Sequence, residues 1–167
     1  RQRVKSPDLH FLEYDMTLTN KTVLVTGSTS GIGLGIARGF ADVNANVILN
    51  GFGDAEAIEA ERVMLDGLGS GIVLYDGADM SKPDEIVAMI KRAEETFGGV
   101  DIVINNAGLG MRVVSETFNA VPTRFWETRP EDWRRIVDVN VNGAFYMARA
   151  AARRMVARGS GKIVNIS

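Results

Sequence analysis

Short runs rich in Val, Ile and Leu recur at Thr22–Thr26, Asn46–Asn50, Ile72–Tyr75, Asp101–Asn105 and Lys162–Ile166. Each is continuous enough to predict a strand buried on both faces, as in the interior of a parallel sheet. Between them lie segments of helical length: Gly31–Val43, Ala55–Asp66, Lys82–Phe97 and a long one from Pro130 to about Arg158. Strand and helix alternate, which predicts an α/β domain. Right-handed crossovers between such strands give a doubly wound parallel sheet, with a ligand crevice at the carboxyl ends of the strands where the winding reverses. Functional residues are therefore expected just after each strand.

Local signals mark the element ends. Ser81 with Asp84, and Thr128 with Glu131, have the spacing of a capping box, and Pro83 and Pro130 fall in the first turns that follow. Gly98 and Gly159 close two helices, and Asn44 stands where a left-handed residue commonly ends a third. Residues 1–15 precede the first patterned run and are expected to form a flexible extension, leaving 16–167 as one domain.

Composition narrows the function classes. A chain of 167 residues with 46% hydrophobic and 24% charged positions is long enough for a substantial core. Its formal charge of −2 offers no extended positive field for a polyanion, so no nucleic-acid partner is expected. No apolar run approaches the roughly 20 residues needed to span a bilayer, so no membrane partner is expected either. The absence of cysteine removes disulfides, thiolate metal sites and cysteine nucleophiles. No metal site is predicted, since His10 and the arginines of the long helix read better as a tail residue and a solvated face. The composition is compatible with a cytoplasmic location.

The first strand runs directly into Thr26-Gly27-Ser28-Thr29-Ser30-Gly31-Ile32-Gly33 and then an apolar helix. Gly27 can make the sharp turn, Gly31 lets the backbone approach a diphosphate, and Gly33 permits close helix–strand packing. The amides and positive dipole end of the helix then face the phosphates. A glycine triplet alone is also explained by a tight turn. Its place between strand and helix, and the TGxxxGxG spacing, resemble the short-chain dehydrogenase/reductase family.

Further segments agree in order and distance. The resemblance implies a Rossmann-type fold in which Asp79, followed by Met80, accepts a hydrogen bond from the adenine amino group. The segment Asn105-Asn106-Ala107-Gly108 then steadies the sheet and lines the ribose, where small residues let the backbone come close. Val139 and Asn140 lie inside the long helix. Asn140 matches the family's catalytic Asn, whose backbone carbonyl holds a water in the proton relay, with structural capping by Asn140 or Asn142 as the alternative. The implied cofactor-binding set is Gly27, Thr29, Ser30, Gly31, Ile32, Gly33, Phe52, Asp79, Met80, Asn106, Ala107, Gly108 and Val139.

Within the family, residues 17–106 are most similar to the branch that oxidises 3-hydroxybutyrate, where a Phe after the second strand packs by the adenosine, and Phe52 occupies that position. Downstream the likeness falls: Gly110 stands where that branch carries a substrate-binding Gln, and Met111–Arg129 reads as an inserted loop. A 2′-phosphate needs an Arg or Lys near the turn or the second strand, and Ser28, Thr29, Ser30, Asn50, Gly51 and Phe52 supply none, so NAD is expected over NADP.

The family's general acid/base is a Tyr whose pKa a Lys four residues later lowers, assisted by a Ser that polarises the substrate oxygen. No Tyr-x-x-x-Lys pair occurs in the sequence, and Ser167 matches the neighbour of that Ser. The fold is thus expected to be truncated after the fifth strand. Two functions follow. One is an NAD-dependent oxidoreductase that, intact, moves a hydride between nicotinamide and a small hydroxy acid or alcohol such as 3-hydroxybutyrate. The other is a non-catalytic dinucleotide-binding or assembly fragment. The resemblance also implies a homodimer or homotetramer, in which Trp133, Val137, Ala144, Met147, Ala151 and Met155 serve either an interface or the chain's own core.

Overall fold

The computed structural model describes residues 18–167, so the expected extension at 1–15 lies outside the described residues. Five strands, β1 (Thr22–Val25), β2 (Asn46–Asn50), β3 (Val73–Asp76), β4 (Ile102–Asn105) and β5 (Lys162–Asn165), form one sheet in the order β3-β2-β1-β4-β5. All four pairings are parallel. Winding reverses between β1 and β4, which makes their carboxyl ends the place for a ligand crevice.

The doubly wound expectation is met, and the strand interior shows why. Successive residues alternate faces, and both faces of the central strands are covered. Val23, Val25, Val47, Leu49 and Ile104 pack with Ala37 and Ala41 of α1 (Gly31–Asp42) and Leu65 of α2 (Ala55–Asp66). Leu24, Ile48 and Val103 face the other way. They join Ile86, Met89, Ile90 and Ala93 of α3 (Pro83–Phe97) and Met147, Ala151 and Met155 of α5 (Ala144–Arg158). β3 and β5 stand at the two edges of the sheet, and their side chains are less covered than those of the central strands: β3 is partly exposed and β5 largely so.

The segment expected as one long helix is α4 (Pro130–Val137), a π-helical turn (Asp138–Gly143) and α5. The backbone stays helical through both junctions, at Val137, Asp138, Gly143 and Ala144. The side chains Met147, Ala151 and Met155, four apart, belong to the chain's own core, whereas Trp133 is exposed. Burying a Met of this kind contributes about 1.5–3 kcal/mol.

Both capping boxes are corrected. Pro83 and Pro130 occupy the first helical turn, which puts Lys82 and Arg129 at the caps and leaves Ser81 and Thr128 one residue too early. Neither cap uses its side chain on the helix; Arg129 instead binds Asp132 through two charged hydrogen bonds of 2.7 and 2.8 Å. Asn44 does adopt the left-handed conformation, with φ of 66°. Two 3₁₀ turns, Met111–Val113 and Phe125–Glu127, shape the expected insertion. No helix among the described residues is long and apolar enough to cross a membrane.

Candidate nucleotide-binding site

The turn after β1 is tied to the end of β4 through the Thr26 hydroxyl and the Asn106 side chain. Thr26 is 2% exposed, and its Oγ1 accepts the amides of Asn106 and Ala107, each at 3.0 Å. Asn106 answers with its side chain, donating Nδ2 to the carbonyls of Thr26 and Gly27 at 3.0 and 3.1 Å. Gly27 has φ of 63°, and a Cβ there would fall 2.7 Å from the Ala107 Cα. Gly33 seats α1 against the same turn, since a Cβ would lie 2.2 Å from the Gly27 carbonyl oxygen. The glycine therefore allows the close approach expected of it, against the turn and Asn106.

The end of β2 is held as firmly. The Ser28 hydroxyl donates to the Val25 carbonyl at 2.7 Å and accepts the Asn50 amide at 3.0 Å. The Asn50 side chain, 1% exposed, donates to the carbonyls of Asp76 and Ala78 at 2.9 and 2.8 Å. Thr29 reaches over Gly51, whose φ is 145°, to donate to the Phe52 carbonyl. Asp79 Oδ1 accepts both the amide and the hydroxyl of Ser81 at 2.8 Å. Behind it Glu85 accepts the Asp79 amide. Its carboxyl is held below the usual carboxylate range by Lys82, bonded to it at 2.8 Å, and by that amide.

These segments enclose a cleft of about 260 Å³ at the switch point. Of the predicted cofactor residues, Gly27, Thr29, Ser30, Phe52, Asp79, Met80, Asn106, Ala107, Gly108 and Val139 line it. Gly31 and Ile32 are exposed at the start of α1, and Gly33 is buried behind the turn. A Cβ on Gly31 would meet nothing within 4 Å, so the space before the first amides of α1, which lack intrahelical acceptors, is open to a phosphate. Asp79 is the one charged residue among the described lining residues.

Sequence reasoning passed over Asn50 as a structural residue and missed Gly51, Ala78 and Leu109, which also line the cleft. Their signal is position alone, since each follows a strand or, for Asn50, ends one.

The π turn explains how a helix interior joins the site. Gly143 packs so tightly on Met80 that a Cβ would sit 2.6 Å from the Met80 carbonyl oxygen. The wider turn presents Val139 to the cleft and Asn140 to an adjoining cavity of about 170 Å³, which shares Met80, Ala107 and Val139 with the cleft and reaches Ser167. Asn140 Oδ1 accepts the Leu109 amide at 2.7 Å and Nδ2 donates to the Leu109 carbonyl at 3.0 Å. Asn142 instead bonds Asp138 within the turn. Buried Asn105 binds Asn165 at 2.9 Å, and its Oδ1 has no partner among the described residues.

Residues 21–167 match the short chain dehydrogenase family profile. The chain belongs to the short-chain dehydrogenase family. It is 46% identical over 151 residues to a D-beta-hydroxybutyrate dehydrogenase of Cupriavidus necator, covering 90% of this chain and 54% of that relative. A second D-beta-hydroxybutyrate dehydrogenase, of Rhizobium meliloti, is 43% identical over 147 residues, covering 88% and 53%. Among solved structures, a metagenomic short-chain oxidoreductase in complex with NADP superposes with a TM-score of 0.78 at 29% identity, covering 90% of this chain and 63% of that one. A putative gluconate dehydrogenase from Agrobacterium tumefaciens gives 0.76 at 34%, covering 90% and 55%. The chain spans about half the length of the curated relatives it matches.

Proposed function

We propose that this chain is the NAD-binding part of an oxidoreductase that moves a hydride between nicotinamide and a small hydroxy acid or alcohol such as 3-hydroxybutyrate. The observation that carries it is the cleft: the glycine turn, Phe52, Asp79 and Asn106-Ala107-Gly108, far apart in sequence, open onto one space at the switch point. Thr29, Ser30 and the amides at Gly31, Ile32 and Gly33 hold the diphosphate. Phe52, Asp79 and Met80 take the adenosine, and Asn106, Ala107, Gly108 and Val139 the ribose and nicotinamide side. When bound, the dinucleotide supplies the hydride acceptor.

The protein's part is to bind, orient and exclude. Thr26 and Asn106 fix the backbone that lines the cleft, so little ordering remains to be done on binding. Asn140 ties the π turn to Leu109, and its own carbonyl is proposed to hold a water of the proton relay. The case for NAD over NADP is electrostatic: none of the described lining residues offers a cation for a 2′-phosphate, and Asp79 adds negative charge. Exposed Trp133, Val141, Phe145 and Val156 along the helical rod favour a homodimer or homotetramer.

A second reading, nucleotide binding without turnover by these 167 residues, is favoured by the absence of any Tyr-x-x-x-Lys pair among them. Titration with NADH and NADPH, followed by nicotinamide fluorescence, tests the site. NADH is expected to bind at least about tenfold tighter, a difference of ~1.4 kcal/mol. Binding of neither nucleotide overturns both readings. NAD reduction in the presence of 3-hydroxybutyrate or of a larger secondary alcohol then decides between them.

A further inference from the structure

Beside the nucleotide cleft, the insertion after β4 builds a second and larger cavity of about 650 Å³. Its walls include Leu109, Met111, Val114, Phe125, Trp133 and Ile136, and no charged side chain lines it among the described residues. Leu109 also lines the nucleotide cleft, where Asn140 grips it through both backbone groups. The next residue, Gly110, lines the cavity and has open space where a side chain would stand. The two spaces thus meet at a residue whose backbone is held in place.

We propose that this cavity receives the hydrocarbon body of an alcohol or ketone substrate distinctly larger than a four-carbon hydroxy acid. The inference rests on the nucleotide-binding reading above, which gives the nicotinamide side of the cleft to Asn106, Ala107, Gly108 and Val139, next to Leu109. The volume lies within the roughly 300–1,000 Å³ of small-molecule pockets. A four-carbon hydroxy acid has seven heavy atoms and, at no more than about one water volume of ~30 Å³ each, fills at most about 210 Å³.

Chemistry points the same way. A carboxylate placed against these walls finds no cation to offset whatever water it loses, which disfavours it there. An alkyl or aryl group instead gains from burial. One polar feature remains: the Thr123 Oγ1 lines the cavity, is buried, and has no hydrogen-bond partner among the described residues. A single hydroxyl or carbonyl on the ligand satisfies it.

The chain's two tryptophans make the test direct. Trp133 lines the cavity, and Trp126 stands edge-on to Phe125 at 5.3 Å. Tryptophan emission is followed while 2-octanol, or separately 3-hydroxybutyrate, is added to the full chain, with and without NADH. The expected result is a saturable blue shift with 2-octanol, none with 3-hydroxybutyrate, and retention of the shift in Trp126→Phe, where Trp133 alone reports. Phe125→Ala, at an 81% exposed position that the core does not need, is expected to weaken 2-octanol about fivefold.

No saturable shift, equal binding of 3-hydroxybutyrate, or an unchanged Phe125→Ala affinity overturns the proposal. A shift that follows protein concentration instead of 2-octanol overturns it in favour of a second copy covering the cavity. NADH binding is read separately by nicotinamide fluorescence. Loss of NADH binding with 2-octanol binding intact refutes the nucleotide reading and leaves the cavity as an apolar-ligand site.

Discussion

Alanine at Gly33 and alanine at Gly35 lie two residues apart in α1 and should move stability in opposite directions. At Gly33 the new Cβ falls 2.2 Å from the Gly27 carbonyl oxygen and 2.5 Å from the Asn106 Nδ2. Relief requires the turn to move or Asn106 to release the carbonyls of Thr26 and Gly27, which it binds at 3.0 and 3.1 Å. Overpacking costs about 1–3 kcal/mol. Losing the two hydrogen bonds adds about 1 kcal/mol each, against a helix-propensity gain of about 1 kcal/mol. The sum is a loss of about 2–4 kcal/mol. At Gly35 and Gly39, both exposed, an added Cβ meets nothing within 4 Å, so only the propensity gain of about 0.5–1 kcal/mol remains. Urea unfolding followed by far-UV circular dichroism reads both signs. A loss of 3 kcal/mol lowers the midpoint by roughly 1–3 M for slopes of about 1–3 kcal/mol per M. Equal midpoints for Gly33→Ala and Gly35→Ala would refute the packing argument.

Three further outcomes are expected. Thr26→Val keeps the shape but removes the acceptor of two partly buried amides, costing about 1–3 kcal/mol, with faster hydrogen exchange at Asn106 and Ala107 as its local signature. Phe52→Arg puts a guanidinium at the end of β2 and should tighten NADP by about tenfold or more while sparing NAD, measured by titration; an unchanged ratio counts against the electrostatic reading of cofactor choice. The carboxyls of Asp132, Glu85 and Glu59 are held below their ordinary range, first by the side-chain hydrogen bonds from Arg129, Lys82 and Arg62. Because the folded values are depressed, the stability they contribute is present above the ordinary carboxylate pKa of about 4 and is lost as pH falls through the lower folded values. Melting temperature recorded from about pH 6 to about pH 3 should therefore fall, less steeply in Asp132→Asn, and a rise on acidification contradicts the assignment.

The alternation of apolar runs with helical segments was enough to read the sheet, because strands covered on both faces must be apolar throughout and their neighbours must be amphipathic. The glycine turn, Asp79 and the Asn106-Ala107-Gly108 segment were legible for a related reason: close backbone approach tolerates few residue types, and these sit at strand ends in fixed order. Tertiary structure decided the rest. Ser81 and Thr128 have the local chemistry of caps, but the prolines after Lys82 and Arg129 shift each helix start by one residue. The π turn that turns Asn140 toward Leu109 arises where Gly143 meets Met80, a contact between segments more than sixty residues apart that no local pattern encodes. Asn50 reads as an ordinary strand end until its amide is seen holding β2 to the carbonyls of Asp76 and Ala78. The apolar cavity depends on an insertion without periodicity, whose Phe125 shares one space with Trp133 of α4, a juxtaposition that no local pattern encodes. Local patterning determines which elements form; which side chains then share one space depends on packing between them.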